Sequence, residues 1–555
     1  MGPFSDLLNQ TCTAPAAYWP SSKLAGFKPP PLTPNTVSVR CSLSKAKVER
    51  MMASTPIVIP ASLQMHSSGS SNSSSAGSSP GRQRSHSVST SFFGRKSPIS
   101  TKIGITTGLA PPSPATQKKL IRIRKMSDMP RTSSNFSTIP LQVSEISTDW
   151  AKLIINQLRL KRQEPPLKVD ARVTSCKLED CKKSNGDMST TCRMEVEVEA
   201  DGKHLDYYFI AKLLPRDDPC RLYCFEANVF EKEISIYFEL LPALRQTCQD
   251  HKDLARLFSH SIPNCVYGSN NIDGAGVLVF ECALQMGFIH PVDPEGLSLQ
   301  QVLSVINLMA KFHAIGSAKV NRCHKQMKLR HPYLLSNVYS SPTMIEGAQH
   351  MFSTYLQFLR SVPGQHHLVE TFEKHCAGEE GAKLMYSCLR RQVENPFNTI
   401  VHGELWEKNM LFRRSSDNGE SLECVVLDWK NAKLASATKD LAFLLLSSTR
   451  NSLRTQHLDE ILRQYYSTFC DTLNQLDAQL CEKVTFDEFV DDYKMSTKGA
   501  FMQAVCCLVQ EMQFFEHQLT EDRDNLQEIA DTLHVYEDRA LNMMNDVTLT
   551  ETHFC

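Results

Sequence analysis

Two short β-rich runs, Met410–Arg413 and Cys424–Asp428, flank a polar loop from Ser415 to Ser421 that contains Asn418-Gly419. Apolar runs on either side of such a loop predict a hairpin. The chain enters it as VHGELWEKNMLF and leaves it as CVVLDWK, which sets Glu404 before the hairpin, Asn409 at its start and Asp428 at the end of its return strand. Hydroxyl phosphorylation needs an acceptor for the alcohol proton and oxygen ligands that hold magnesium on nucleotide phosphates. One carboxylate, four residues, an Asn, and a second carboxylate on the neighbouring strand meet both needs. The plainer reading is a satisfied loop with solvated carboxylates; the spacing, the strand context and the β-rich segment upstream together favour the chemical one.

That upstream segment spans residues 190–215, where Met194, Val196 and Val198 alternate with charged residues before Asp201-Gly202 and a second β-rich run, Tyr207 to Leu213, follows. The pattern predicts another hairpin. In VFEKEISIYFELLPAL, Phe230, Ile234 and Tyr237 recur at helical spacing and Pro242 is expected to end the helix. YGSNNIDGAGVLVFECA adds a turn and an apolar strand, Val277 to Phe280. Helical periods dominate afterwards: Leu299–Ala318, with Val302, Val305, Ile306, Met309 and His313 on one face, then Met351–Val362 and most of the chain beyond Asp440. The expected class is α+β, with a β-rich lobe before a helical lobe. The expected divisions are a nucleotide-binding lobe at 145–283, a helical catalytic and substrate lobe at 284–545, and a short tail at 546–555.

Residues 1–140 are a different material. They hold 28 Ser, 16 of the 28 Pro, and 17 basic against 3 acidic side chains, a net +14 that the remaining residues balance with −14. Such a composition buries too little apolar area to offset about 1–2 kcal/mol per residue of backbone ordering, so a long disordered tail is expected over 1–144. Within it, RQRSHSVS and RIRKMSDMP place Ser87 and Ser127 behind basic residues, as basophilic kinases prefer. A phosphate at Ser87 would suit a phosphoserine-binding adaptor of the fourteen-three-three kind. No nucleic-acid partner is expected. No leader pattern and no run of about 18 apolar residues appears, and the 19 cysteines are scattered without paired CxxC motifs. A cytoplasmic protein with neither structural zinc nor disulfides is expected.

HGELWEKNMLF, VVLDWK and KDLAFLLLSST resemble the ecdysteroid kinase-like family, within the choline kinase and aminoglycoside phosphotransferase group, whose members typically show HGD-x-W-x-x-N and LDF or VDF at these places. FIAKLLP, FEKEISIYFELLP, LVFECALQMGF and LMAKFHAIGSA add to the resemblance, which covers about residues 145–540. It implies a two-lobed, protein-kinase-like fold holding ATP and Mg2+ between the lobes, and an alcohol substrate of small molecular size, ecdysteroid-like or otherwise hydrophobic. Lys212 would bind the α- and β-phosphates and Glu233 would orient it; Glu233 lies three residues after Phe230 and four before Tyr237, beside the helix's inward face. Residues 184–191, with Gly186, Ser189 and Thr190, would cover the phosphates, an ordinary hairpin turn being the other reading. Phe280–Ala283, including Glu281, Cys282 and Ala283, would form the adenine hinge, with a solvated Glu281 as the alternative. Asn409 and Asp428 would hold magnesium, and His402 would fix the catalytic loop. Asp440 would either cap its helix or orient that loop; Trp406 and Trp429 read as packing residues.

One departure matters. The family's catalytic Asp is Glu404 here, longer by one C–C bond of about 1.5 Å, and a misplacement of about 1 Å can slow catalysis on the order of 100-fold. Two classes therefore stay open: an ATP-dependent phosphotransferase with Glu404 as base, and a pseudokinase or nucleotide-binding scaffold with a phosphoregulated tail.

Overall fold

The computed structural model describes residues 139–548 apart from 141, 182–188, 216–223, 225–226, 271–275, 336–341, 392–395, 416–420, 477–484 and 522–524. Gly186, Ser87 and Ser127 lie outside the described residues, as do residues 1–138 of the expected tail.

The first lobe is built on a five-stranded antiparallel sheet of spatial order β1-β2-β3-β5-β4. Its strands are β1 (Arg172–Cys181), β2 (Thr190–Ala200), β3 (Lys203–Leu213), β4 (Cys265–Asn270) and β5 (Gly276–Glu281). Asp201 and Gly202 both take positive φ, 53° and 68°, as a two-residue hairpin turn twisted with its strands requires, and Ala200 then pairs with Lys203. Alternation along β2 buries Met194, Val196 and Val198 beneath helix α1 (Thr148–Lys161), which contributes Trp150, Ile154, Ile155 and Leu158. On β5, Val277 and Val279 face α1, while Leu278 and Phe280 join the larger core on the opposite side.

That opposite side carries helix α2 (Val229–Ser235). Pro242 does not end this helix. A π-helical turn, Ile236–Leu240, runs directly into α3 (Leu241–Thr247), with Pro242 in its first turn, where the missing N–H costs least. A further helix, α4 (Lys252–His260), leads into β4.

The second lobe is helical. Helix α5 (Leu299–Arg330) starts from a capping box between Ser298 and Gln301 and continues twelve residues beyond the Ala318 limit expected from periodicity. Helices α6 (Pro342–Ser361), α7 (His366–Cys376) and α8 (Gly378–Arg390) follow. Two small antiparallel sheets then pair β6 (Asn398–Val401) with β9 (Lys433–Ser436), and β7 (Met410–Arg414) with β8 (Leu422–Val426). The β7–β8 pair is the expected hairpin, but Asp428 stands two residues past its end. Helices α9 (Thr438–Ser448), α10 (Asn451–Gln475), α11 (Phe486–Glu521) and α12 (Leu526–Thr548) complete the lobe. The fold is α+β, with an antiparallel-sheet lobe followed by a helical lobe. No helix among the described residues is long and apolar enough to cross a membrane.

Candidate active site

Lys212 lies near the end of β3, opposite Thr191 of β2 and Leu278 of β5. Its ammonium is 2.6 Å from Glu233 Oε2 on α2 and 2.7 Å from Asp428 Oδ1. Burial works against the Lys212 charge, and Asp428 and Glu233 more than offset it, holding the ammonium above the ordinary lysine value. Burial pushes the Glu233 carboxyl upward while Lys212 opposes it; the short ion pair identifies the group as a carboxylate.

His402 and Gly403 follow β6 directly. Asp440, the third residue of α9, accepts from the His402 amide at 2.6 Å and the Gly403 amide at 2.8 Å. Its Oδ2 also lies 3.2 Å from His313 Nε2, and His313 Nδ1 lies 2.7 Å from the Tyr465 hydroxyl. Asp440 therefore spends its carboxylate on the loop, while the cap position of α9 falls on Ala437. These bonds hold its pKa down against the opposing effect of burial, with His313 the main cause. Gly403 has φ 82°, and a Cβ there would sit 2.4 Å from the Asn431 carbonyl oxygen, so the close passage of the two segments requires glycine.

His402 is fully buried. Nε2 donates to the Leu427 carbonyl at 2.7 Å and Nδ1 accepts from the Glu404 amide at 3.3 Å. Both ring nitrogens are committed in one neutral tautomer, and burial lowers the pKa. Trp429 packs on the His402 ring at 4.8 Å and on Phe312 at 4.7 Å.

Asp428 takes φ 61°, which turns the chain off the end of β8 and brings its carboxylate back to Lys212. Its Oδ2 contacts Lys430 Nζ, and that same ammonium lies 3.3 Å from Glu404 Oε2. Asn431 Nδ2 donates to Glu404 Oε2 at 2.8 Å. Glu404 Oε1 has no hydrogen bond from the described residues, and the side chain keeps 23% of its surface exposed. Asn409 donates its Nδ2 to the Glu404 carbonyl at 3.0 Å, which leaves the amide oxygen for another partner. Glu233, Lys212, Asp428, Lys430 and Glu404 thus form one chain of alternating charge that links β3 and α2 to the segments after β6 and β8.

The remaining expected residues are more dispersed. Ser189 precedes β2 and Thr190 opens it, opposite Leu213; Ser189 is buried. The Glu281 amide donates to the Asn264 carbonyl at 3.1 Å and the Cys282 amide to the Tyr208 carbonyl at 3.0 Å. Ala283 begins a single 3-10 turn, Ala283–Met286. Glu281 is not solvated: its carboxylate pairs with Arg162 just after α1 and accepts from Asn264, so it ties the first helix to the expected hinge.

Several contacts have no sequence signal. Gln503 on α11 donates to the Gly403 carbonyl at 2.9 Å, and Glu511, two turns on, lies 3.1 Å from Lys408. Arg539 on α12 grips Glu407 with two bonds of 2.8 Å while buried. The segment from Gly403 to Lys408 is therefore braced by the last two helices.

The ecdysteroid kinase-like family profile matches residues 185–478, more than half of the 555. The chain belongs to the ecdysteroid kinase-like family. The matched segment contains Lys212, Glu233, His402, Glu404, Asn409, Asp428 and Asp440, whereas α1, α11 and α12 lie outside it. Among solved structures, an ethanolamine kinase from Plasmodium vivax is 11% identical with a TM-score of 0.29, over 70% of this chain and 87% of that one. A thermostable mutant of an aminoglycoside phosphotransferase, in apo form, is 9% identical with a TM-score of 0.23, over 71% of this chain and 99% of that one. No curated protein matches the chain.

Proposed function

We propose that this ecdysteroid kinase-like protein transfers the γ-phosphoryl group of ATP to a hydroxyl of a small molecule, ecdysteroid-like or another hydrophobic alcohol, with Glu404 as base. The observation that carries this reading is the state of Glu404: Oε2 is anchored by Asn431 and Lys430, while Oε1 has no bond from the described residues and the group reaches solvent. A base needs one free, oriented oxygen within reach of the proton that it takes. The longer side chain is braced on one oxygen, which fixes where the other points. His402 is not available for this role, because both of its nitrogens are committed.

Lys212, between Glu233 and Asp428, is suited to the α- and β-phosphates, with Ser189 and Thr190 near the phosphate cover and the backbone of Glu281–Ala283 at the adenine. Among the described residues no three His, Cys, Asp or Glu side chains are arranged to hold a metal ion. Magnesium on a nucleotide does not need such a cage; one or two protein oxygens plus phosphate oxygens suffice. Asp428 and the Asn409 amide oxygen fit that donor set, and the ion would offset the charge of the transferring phosphoryl group. On this reading residues 145–283 bind ATP and residues 284–545 supply base and acceptor site.

A scaffold reading draws on one observation, that both Asp428 oxygens already bear lysine ammonium groups. ADP release over a panel of sterols and other alcohols, run beside a Mg-ATP thermal-shift titration, separates the two. Acceptor-dependent ADP release that is lost in Glu404→Gln supports the phosphotransferase; a thermal shift without release on any acceptor supports the scaffold.

A further inference from the structure

Lys430 stands two residues after Asp428. Its ammonium is buried and touches both Asp428 Oδ2 and, at 3.3 Å, Glu404 Oε2. It thus bridges the proposed metal ligand and the proposed base. Lys212 holds the other Asp428 oxygen, so each carboxylate oxygen faces a lysine ammonium.

Two further lysines lie close to the turn that carries Lys430. Helix α2 packs against the turn Trp429–Asn431, and it carries Lys232, buried and without an ion-pair partner among the described residues. Lys433, also buried, begins β9 just beyond the same turn. A bare divalent cation approaching Asp428 would meet the ammonium groups of Lys212 and Lys430 and would have to displace a charge-assisted hydrogen bond. A cation already chelated by a triphosphate arrives with a net negative charge, which those same lysines attract. Lys430 has a second partner in Glu404, which is not a ligand in this scheme, and so it is not stranded when Asp428 changes partner.

We propose that Lys430 is the resident cation of Asp428, excluding free divalent ions so that metal enters only as its nucleotide complex, and that after the exchange it remains on Glu404 as a positioning residue. This rests on Asp428 as the metal ligand of the proposed function. It assigns Lys430 a role in the order of binding, which the sequence pattern alone does not suggest.

The test is Mn2+ binding to the full chain, followed by loss of the free-ion electron paramagnetic resonance signal, with and without a non-hydrolysable ATP analogue. Wild type is expected to bind Mn2+ weakly alone and tightly with the analogue. Lys430→Gln should bind free Mn2+ about 10- to 100-fold more tightly, the range that corresponds to one charge-assisted hydrogen bond. Lys430→Arg should behave as wild type, and Asp428→Asn combined with Lys430→Gln should lose the gain. Equal affinity for free Mn2+ in wild type and Lys430→Gln overturns the proposal. If Lys430→Gln does not fold, wild type alone decides, since tight Mn2+ binding without the analogue also overturns it. No turnover is needed for the readout. The expected Mn2+ pattern without phosphoryl transfer would remove the phosphotransferase reading and keep this one, while turnover with unaltered Mn2+ affinity in Lys430→Gln would do the reverse.

Discussion

The Lys212 ammonium lies 2.6 Å from Glu233 Oε2, with both side chains buried. The pair thereby joins the strand and helix of the first lobe. Removing one partner from a buried pair typically costs about 3–5 kcal/mol, and Lys212 would keep Asp428, so Glu233→Gln is expected at the low end, near ~3 kcal/mol. Denaturant unfolding should show that loss, and the KM for ATP should rise by about 10-fold, as one lost orienting contact implies. Wild-type stability and ATP affinity in this variant would contradict the pairing role.

Asp440 receives two loop amides and sits against His313. Asp440→Asn places an NH2 against one of these donors, and an unsatisfied buried donor costs about 1–3 kcal/mol. Turnover should fall with stability, because the same amides set the path from His402 to Glu404. The pH dependence has a definite sign. A carboxyl whose pKa is depressed by folding stabilises the protein above its ordinary value, here 3.8, and that contribution is lost as the pH falls through the folded value. Wild type should therefore lose stability more steeply than Asp440→Asn in acid below that point; parallel acid profiles would count against this assignment.

Arg539 and Glu407 form a buried two-bond ion pair that joins α12 to the segment following Glu404. Arg539→Met leaves Glu407 charged and unpaired and is expected to cost about 3–5 kcal/mol. Adding Glu407→Leu should recover part of this loss. A double-mutant cycle with strictly additive effects would show that the two residues act independently.

Lys232 has no compensating anion in ion-pair contact among the described residues, and burial, with help from Lys433, lowers its pKa to about 7. A lysine depressed by folding binds fewer protons than in the unfolded chain between that value and 10.5, so stability rises with pH across this window. Lys232→Met should be more stable than wild type at pH 7 and below, by on the order of 2–4 kcal/mol, and the two should converge towards pH 10. Melting curves without nucleotide check this; an equal or lower Tm for the Met variant at pH 7 would contradict it.

Local patterns carried much of the fold. The Met194, Val196, Val198 alternation with Asp201-Gly202 marks its hairpin because strand period and turn chemistry are both local. The position of Glu233 beside the inward face of its helix follows from its spacing to Phe230 and Tyr237. Helix α1 had a local signal as well, in Ser147 as a cap accepting from the Trp150 amide and in the spacing of Trp150, Ile154, Ile155 and Leu158. The resumed helix beyond Pro242 did not, since a π-helical turn has no pattern of its own. Asp428 left its strand through a positive φ in a residue that tolerates it. Arg539 with Glu407, Gln503 with Gly403 and Lys430 with Glu404 depend on how distant segments meet, which no periodicity encodes.

The base assignment is tested most directly by comparing kcat for acceptor-dependent ADP release in wild type, Glu404→Asp and Glu404→Gln at saturating Mg-ATP. Glu404→Gln removes the carboxylate and should lose about 100- to 10,000-fold, the usual worth of general-base assistance. Glu404→Asp keeps a carboxylate but withdraws it from Asn431 and Lys430, and should fall between the two. Turnover in Glu404→Gln equal to wild type, with Mg-ATP bound equally by both, would contradict Glu404 as the base.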